Sequence, residues 1–228
     1  MGNDRIAPYG DSPLSIRTRI KICGLTREAD VDCAVQAGAD AVGFVFYESS
    51  PRHVSVARAR ELSERLPPFV TPVGLFVNAD SAFILEAIAA IPQMLLQFHG
   101  DEAPAACVRY ARPYLRAARM QSGFDLIDFA ATHANAQALL LDANVEGYGG
   151  GGKVFDWSLI PSDVPLPVVL SGGLHAGNVA EGLRQVRPWA VDVSSGVESA
   201  KGIKDATAIR QFCDAVRGAD SRREAAQA

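Results

Sequence analysis

Short apolar runs alternate along this chain with longer stretches in which apolar residues recur every three or four positions. The first run, Arg19-Ile20-Lys21-Ile22-Cys23, turns at Gly24 into a helical stretch over 26–38. Thr26 suits an N-cap there and Gly38 a C-terminal stop. A second strand over 41–46 precedes a helix over 55–66. In that helix Val56, Ala59, Leu62 and Leu66 share one face, the arginines take the other, and Pro67-Pro68 ends it. The same unit recurs with strands at 72–77, 94–99 and 115–120 and helices at 81–91, near 101–111 and within 125–133. The sixth strand, 138–142, leads into a glycine loop at 147–152 and only a short helical piece near 156–160. Strands at 167–171 and 190–194 complete the series, with helices at 178–186 and 205–216. The last helix carries the stripe Ile209, Phe212, Cys213 and Val216.

Several of these strands are apolar over consecutive residues, as expected when both faces of a parallel sheet are covered. Eight strand–helix units in about 200 residues predict a single (β/α)8 TIM barrel of parallel strands in the α/β class, rather than an open doubly wound sheet. No GxGxxG follows the first strand, and no linker divides the chain. The expected organisation is a loose N-terminal extension at 1–18, a catalytic barrel at 19–216 and a polar C-terminal tail at 217–228.

Composition narrows the function. With 48% hydrophobic residues in 228, the chain can bury a large core. It has no apolar run of about 18 residues, so no membrane partner is expected. The opening residues lack the basic-then-apolar order of a signal peptide. A formal charge of −4 without a Lys/Arg-rich run argues against nucleic acid. Cys23, Cys33, Cys107 and Cys213 show no CxxC or short Cys/His spacing, which speaks against a metal site or disulfide framework and for reduced thiols in the cytoplasm.

Candidate chemistry clusters where strands end. Three glycine-rich turns follow the sixth, seventh and eighth strands: Gly149-Gly150-Gly151-Gly152, Ser171-Gly172-Gly173 and Ser194-Ser195-Gly196. Glycine lets successive N–H groups converge on an anion, and barrels commonly bind phosphate beside their last strands. Gly150, Gly151, Gly152, Gly172, Gly173, Ser194, Ser195 and Gly196 are therefore the candidate contacts to a phosphorylated small molecule. Asn178 is better read as an N-cap. Cys23, by spacing alone, serves equally as a mouth residue or a core residue. Asp142, after Ala-Leu-Leu-Leu, is harder to explain structurally, because an unpaired carboxylate there is costly. His99 at the end of the fourth strand either contacts substrate or satisfies a backbone group. Cys33, Cys107 and Cys213 read as small buried hydrophobes, and His53, His133 and His175 as loop or helix surface. Asp192 is expected to steady the phosphate loop by hydrogen bonds.

Several motifs occur together and in order. They are Lys21-Ile22-Cys23-Gly24-Leu25-Thr26, Gly43-Phe44-Val45-Phe46 with Ser50-Pro51-Arg52, Gly74-Leu75-Phe76-Val77-Asn78, and Gln97-Phe98-His99-Gly100. Leu141-Asp142, Phe155-Asp156-Trp157, Leu170-Ser171-Gly172-Gly173-Leu174 and Val191-Asp192-Val193-Ser194-Ser195-Gly196-Val197-Glu198 follow. In these the chain resembles the phosphoribosylanthranilate isomerases of tryptophan biosynthesis, over about residues 19–216. The resemblance implies an Amadori rearrangement without metal or organic cofactor, by a monomer or homodimer. It implies Cys23 as general base, Asp142 as general acid and Arg52 beside the anthranilate carboxylate. An acid protonating the ring oxygen must hold its proton near neutral pH, which burial favours. A thiol is only a few per cent thiolate at pH 7, so Cys23 needs cationic or N–H help. Gly151 stands where the family usually has Ser or Thr, and Phe98 where Leu is commoner. The rival readings are the histidine-pathway ProFAR isomerases, which use aspartate at both positions, and a non-catalytic phosphosugar-binding barrel.

Overall fold

The computed structural model describes residues 17–143 and 154–227. Eight parallel strands close into a barrel in sequence order: β1 (Arg19–Cys23), β2 (Ala41–Val45), β3 (Thr71–Phe76), β4 (Leu95–Phe98), β5 (Tyr114–Met120), β6 (Ala138–Ala143), β7 (Val168–Leu170) and β8 (Ala190–Val193). Closure joins β8 to β1, with Lys21 opposite Asp192 in the register. Helices α1 (Glu28–Gln36), α2 (Val56–Ser63), α3 (Ser81–Ala90), α4 (Pro104–Val108) and α5 (Leu126–Thr132) return the chain between strands. A 3-10 turn at Trp157–Leu159 stands between β6 and β7, followed by α6 (Val179–Val186) and α7 (Ala206–Gln227).

The two-residue repeat of a strand sorts each one into two faces. On β1, Ile20 and Ile22 join the large apolar layer under the helices. Lys21 and Cys23 alternate with them and face the barrel interior. Val73, Leu115, Ala117, Ala138, Leu140, Val169 and Ala190 pack together as the interior layer. The same parity carries Asp142 on β6, Asp192 on β8 and Gln97 on β4 inward, above that layer. The barrel is thus dry at one end and polar at the carboxyl end of its strands.

Four details differ from the sequence expectation. The region 217–228 is not a loose tail over its described residues: α7 continues to Gln227. It is anchored there, because buried Asp220 accepts hydrogen bonds from Thr18 N at 2.7 Å and Thr18 Oγ1 at 2.8 Å. Arg217 also donates to the Ala37 carbonyl at 2.7 Å. Thr26 does not cap α1; its hydroxyl donates to Gly202 O at 2.9 Å, and the helix begins at Glu28. The helix after β4 shrinks to Pro104–Val108, since the residue before a proline disfavours helical backbone. Finally, a short hairpin, β9 (Glu198–Ala200) with β10 (Ile203–Lys204), follows β8 where no strand was expected.

Candidate active site

Cys23 ends β1, and Gly24, at φ 78, lets the chain leave the strand abruptly. Gly24 N and Leu25 N both donate to Gly43 O, at 2.9 and 3.1 Å, which ties the turn to β2. The Cys23 sulfur lies over Gly43, where a Cβ would stand only 2.6 Å from Sγ. Val45, Leu75 and Val77 pack around it, with Tyr47 at the edge. Burial pushes the Cys23 thiol up; the charge of Lys21 opposes this, Asp192 adds to it, and a Lys21 hydrogen bond and Lys204 oppose it again.

Asp142 is buried at the end of β6, separated from β1 by β7 and β8. Its Oδ1 accepts from Ala143 N at 2.8 Å, and its Oδ2 faces His99 Nε2 at 3.3 Å. The Gln97 amide nitrogen lies 2.9 Å from His99 Nδ1. The ring thus lies between the Gln97 amide and the carboxyl group of Asp142. His99 therefore stands against the carboxyl group of Asp142 and not against a backbone group. Gly172, at φ 78, packs so tightly that a Cβ would meet Ala143 N at 2.7 Å and Asp142 Oδ1 at 3.0 Å.

Arg52 is buried, its stem lying across Gly24. Its guanidinium is engaged: Nε and Nη2 donate to the two oxygens of Glu198 at 2.7 and 2.8 Å. Glu198 also accepts from Lys204 Nζ at 2.8 Å. Burial opposes ionisation of Glu198, but the Arg52 and Lys204 contacts outweigh it and hold the carboxyl below its ordinary value. Burial pulls Lys204 down despite Glu198. The β9–β10 hairpin thus grips the loop that carries Arg52.

Two of the three glycine turns come together. Gly172 and Gly173 adopt φ 78 and 66, and Gly196 approaches Leu174 O so closely that a Cβ would stand 1.9 Å away. Ser195 and Gly196 form a 3-10 turn with Val197. Ser194 is committed elsewhere: its hydroxyl donates to Cys23 O at 3.1 Å and lies 3.4 Å from Lys204 Nζ. Asn178 makes no side-chain cap to α6; it accepts from His175 N at 2.8 Å and donates to Gly173 O at 3.0 Å, bracing the glycine turn. Gly150, Gly151 and Gly152 lie outside the described residues. No cluster of metal-ligating side chains occurs among the described residues, and all four cysteines are free thiols.

Sequence reasoning missed Lys21, Gln97, Glu198, Lys204 and Arg119. Arg119 stands opposite Asp142 in the β5–β6 register and pairs with Asp101. The signal was parity, since Lys21 and Cys23 share a face, as do Gln97 and His99. Asp192 bears on the glycine turn through Ser171 Oγ at 3.2 Å, but its stronger contact is Lys21 Nζ at 2.7 Å. His133, expected at the surface, is buried against Phe129 with ring centres 4.6 Å apart, and burial lowers it to about 4.

This mouth offers a thiol and a carboxyl group on separate strands, a held guanidinium, and glycine turns suited to an anion. Over most of its length the chain is similar to known proteins. A protein named N-(5'-phosphoribosyl)anthranilate isomerase from Leptothrix cholodnii is 72% identical over 206 residues, 90% of this chain and 94% of its own. The crystal structure of phosphoribosyl anthranilate isomerase from Thermotoga maritima superposes with a TM-score of 0.82 at 42% identity, covering 88% of this chain and 99% of that one. A second solved structure, in complex with reduced 1-(o-carboxyphenylamino)-1-deoxyribulose 5-phosphate, has a TM-score of 0.79 at 39% identity, covering 88% and 99%. The model of the family described as N-(5'phosphoribosyl)anthranilate (PRA) isomerase matches residues 20–215. With nearly the whole barrel matched, the chain belongs to the phosphoribosylanthranilate isomerase family.

Proposed function

We propose that this chain converts N-(5-phosphoribosyl)anthranilate to 1-(2-carboxyphenylamino)-1-deoxyribulose 5-phosphate in tryptophan biosynthesis, with Asp142 as general acid and Cys23 as general base. The observation that carries the reading is the pair of inward-facing groups ending β1 and β6, each buried and each braced by a polar partner. Asp142 delivers its proton to the furanose ring oxygen, which opens the ring and leaves a protonated Schiff base. That cation acidifies the hydrogen on carbon 2, and the Cys23 thiolate removes it. The neutral enolamine then becomes the ketone as the enol proton is lost and carbon 1 gains one. His99, steadied by Gln97, orients the carboxyl group of Asp142.

Arg52, steadied by Glu198, meets the substrate carboxylate. The turns at Gly172–Gly173 and Ser195–Gly196 supply N–H groups for the phosphate; Ser194 contributes backbone only. No metal or organic cofactor takes part in this scheme. The site needs neither a nucleic acid nor a membrane; no helix among the described residues is long and apolar enough to span one. Free thiols fit a cytoplasmic protein. Large apolar side chains are scattered over the surface, with Phe69 the most exposed at 98%, which suits a monomer or a homodimer.

The test follows loss of the anthranilate-substrate fluorescence. Cys23→Ala and Asp142→Asn are each expected to lower turnover about a hundredfold or more, in line with loss of a general base or acid. Wild-type turnover in either variant, or turnover of the histidine-pathway substrate alone, would overturn the assignment.

A further inference from the structure

A buried thiol is a poor base unless something makes its anion tolerable, and the walls around Cys23 supply little. β2 presents Gly43 and Val45, β3 presents Leu75, Val77 follows it, and none of these carries charge. The titratable or charged groups that face the sulfur are few. Lys21 lies on β1 itself, Asp192 on β8 and Lys204 on β10, with Arg52 on the loop after β2 and Tyr47 at the edge. Arg52 and Lys204 are both bound to Glu198, which neutralises much of their effect. Of the cations around it, Lys21, two residues away on the same face, bears most on the thiol.

Lys21 is placed there by the fold. It is two residues before Cys23, so the strand repeat puts both on the interior face. Barrel closure sets it opposite Asp192 in the β1–β8 register, and Nζ reaches Asp192 Oδ1 at 2.7 Å with both side chains almost wholly buried. The other Asp192 oxygen accepts from Ser171 Oγ at 3.2 Å, so the carboxylate is held from two sides. An ammonium has three donors. One is fixed on Asp192, and the ammonium shares the buried interior face with the Cys23 sulfur two residues on.

The geometry points to Lys21 as a positioning residue whose buried charge lowers the cost of the anionic Cys23 sulfur, with Asp192 and Ser171 setting how much of that positive charge the sulfur receives. The assignment rests on Cys23 as the base and adds where its basicity comes from. Lys21 remains an ammonium throughout: burial opposes its charge, but Asp192 and Cys23 outweigh burial and raise it. Its charge is therefore present before substrate binds. Asp192 acts in the opposite sense, drawing Lys21 away from the sulfur and adding a negative charge of its own.

The two charges make predictions of opposite sign, which a merely structural ion pair would not. Cys23 ionisation is read from the ultraviolet absorbance of its thiolate across a pH series, with Cys23→Ser as the blank, and independently from the acidic limb of kcat/KM. Lys21→Met is expected to move both titrations upward by about one pH unit or more, so that turnover at pH 7 falls about tenfold or more and recovers as pH rises. Asp192→Asn is expected to move both downward. The double variant Lys21→Met with Asp192→Asn removes the pair without stranding a buried charge, and its titration should lie between that of Lys21→Met and wild type. Shifts of the same sign in the two single variants, no shift in either, or an equal loss at every pH in Lys21→Met would overturn the assignment. The absorbance titration does not depend on turnover. A kinetically normal Cys23→Ser would sink the choice of base, whereas unmoved thiolate titrations would sink the role of Lys21.

Discussion

Gly43→Ala tests whether the position of the Cys23 sulfur, and not only its presence, sets the rate. A Cβ added at Gly43 would stand 2.6 Å from Cys23 Sγ, 3.1 Å from Cys23 Cα and 3.2 Å from Cys23 Cβ. Ordinary non-bonded contact is about 3.5–4.0 Å, so the sulfur must move by roughly 1 Å. The backbone has little room to yield. Gly43 is paired to β1 and β3, and its carbonyl accepts two N–H groups from the turn after Cys23. The cheaper relief is rotation of the Cys23 side chain away from its seat over β2. Overpacking of this kind costs about 1–3 kcal/mol of stability, and a misplacement of about 1 Å at a reacting group costs about a hundredfold in rate. The expected result is a folded protein with a modestly lower urea midpoint and turnover down about a hundredfold in the fluorescence assay. A double-mutant cycle isolates the cause: in a Cys23→Ala background the sulfur is gone, so Gly43→Ala should cost little further activity. Wild-type turnover in Gly43→Ala, or fully additive losses in the cycle, would refute the reasoning.

Other outcomes follow from the same contacts. Glu198→Gln places an amide where Arg52 or Lys204 now donates, and is expected to raise KM more than it lowers kcat; a kcat loss with unchanged KM would contradict a binding role for Arg52. The Glu198 carboxyl is held below its ordinary value. Its contribution to stability is therefore full above its unfolded value of about 4.3 and lost as pH falls through the lower folded value. The difference in melting temperature between wild type and Glu198→Gln should accordingly shrink in acid, and a constant difference would refute this. Asp220→Ala removes two short hydrogen bonds to Thr18 and is expected to cost about 2–4 kcal/mol in urea unfolding. Truncation after Val216 should lose at least as much, and an unchanged midpoint would show that the end of α7 anchors nothing.

How much of this was legible in the sequence depends on how each feature is encoded. Strand order and helix alternation were readable because each barrel strand is a compact apolar run buried on both sides. Cys23, Asp142 and His99 could be placed at the mouth because each ends or follows such a run. The end of α7 was misread because its outer face is polar and its tether is two hydrogen bonds from Asp220 to Thr18, which no periodicity reports. The hairpin carrying Glu198 and Lys204 is too short to show an alternating pattern, so the carboxylate that binds the fork of Arg52 was not legible.

Lys21 is the instructive case. Inside an apolar strand it reads as an interruption, and parity alone says only that it faces inward. What turns it into part of the site is Asp192, 171 residues away, brought opposite it when the last strand meets the first. An isolated buried ammonium beneath Cys23 would be costly, and an isolated buried carboxylate would work against the thiolate. Together they are tolerated, and the balance between them decides the charge that reaches the sulfur. On the proposed mechanism the basicity of Cys23 is therefore a property of barrel closure: it depends on the register between β1 and β8, which neither strand encodes by itself.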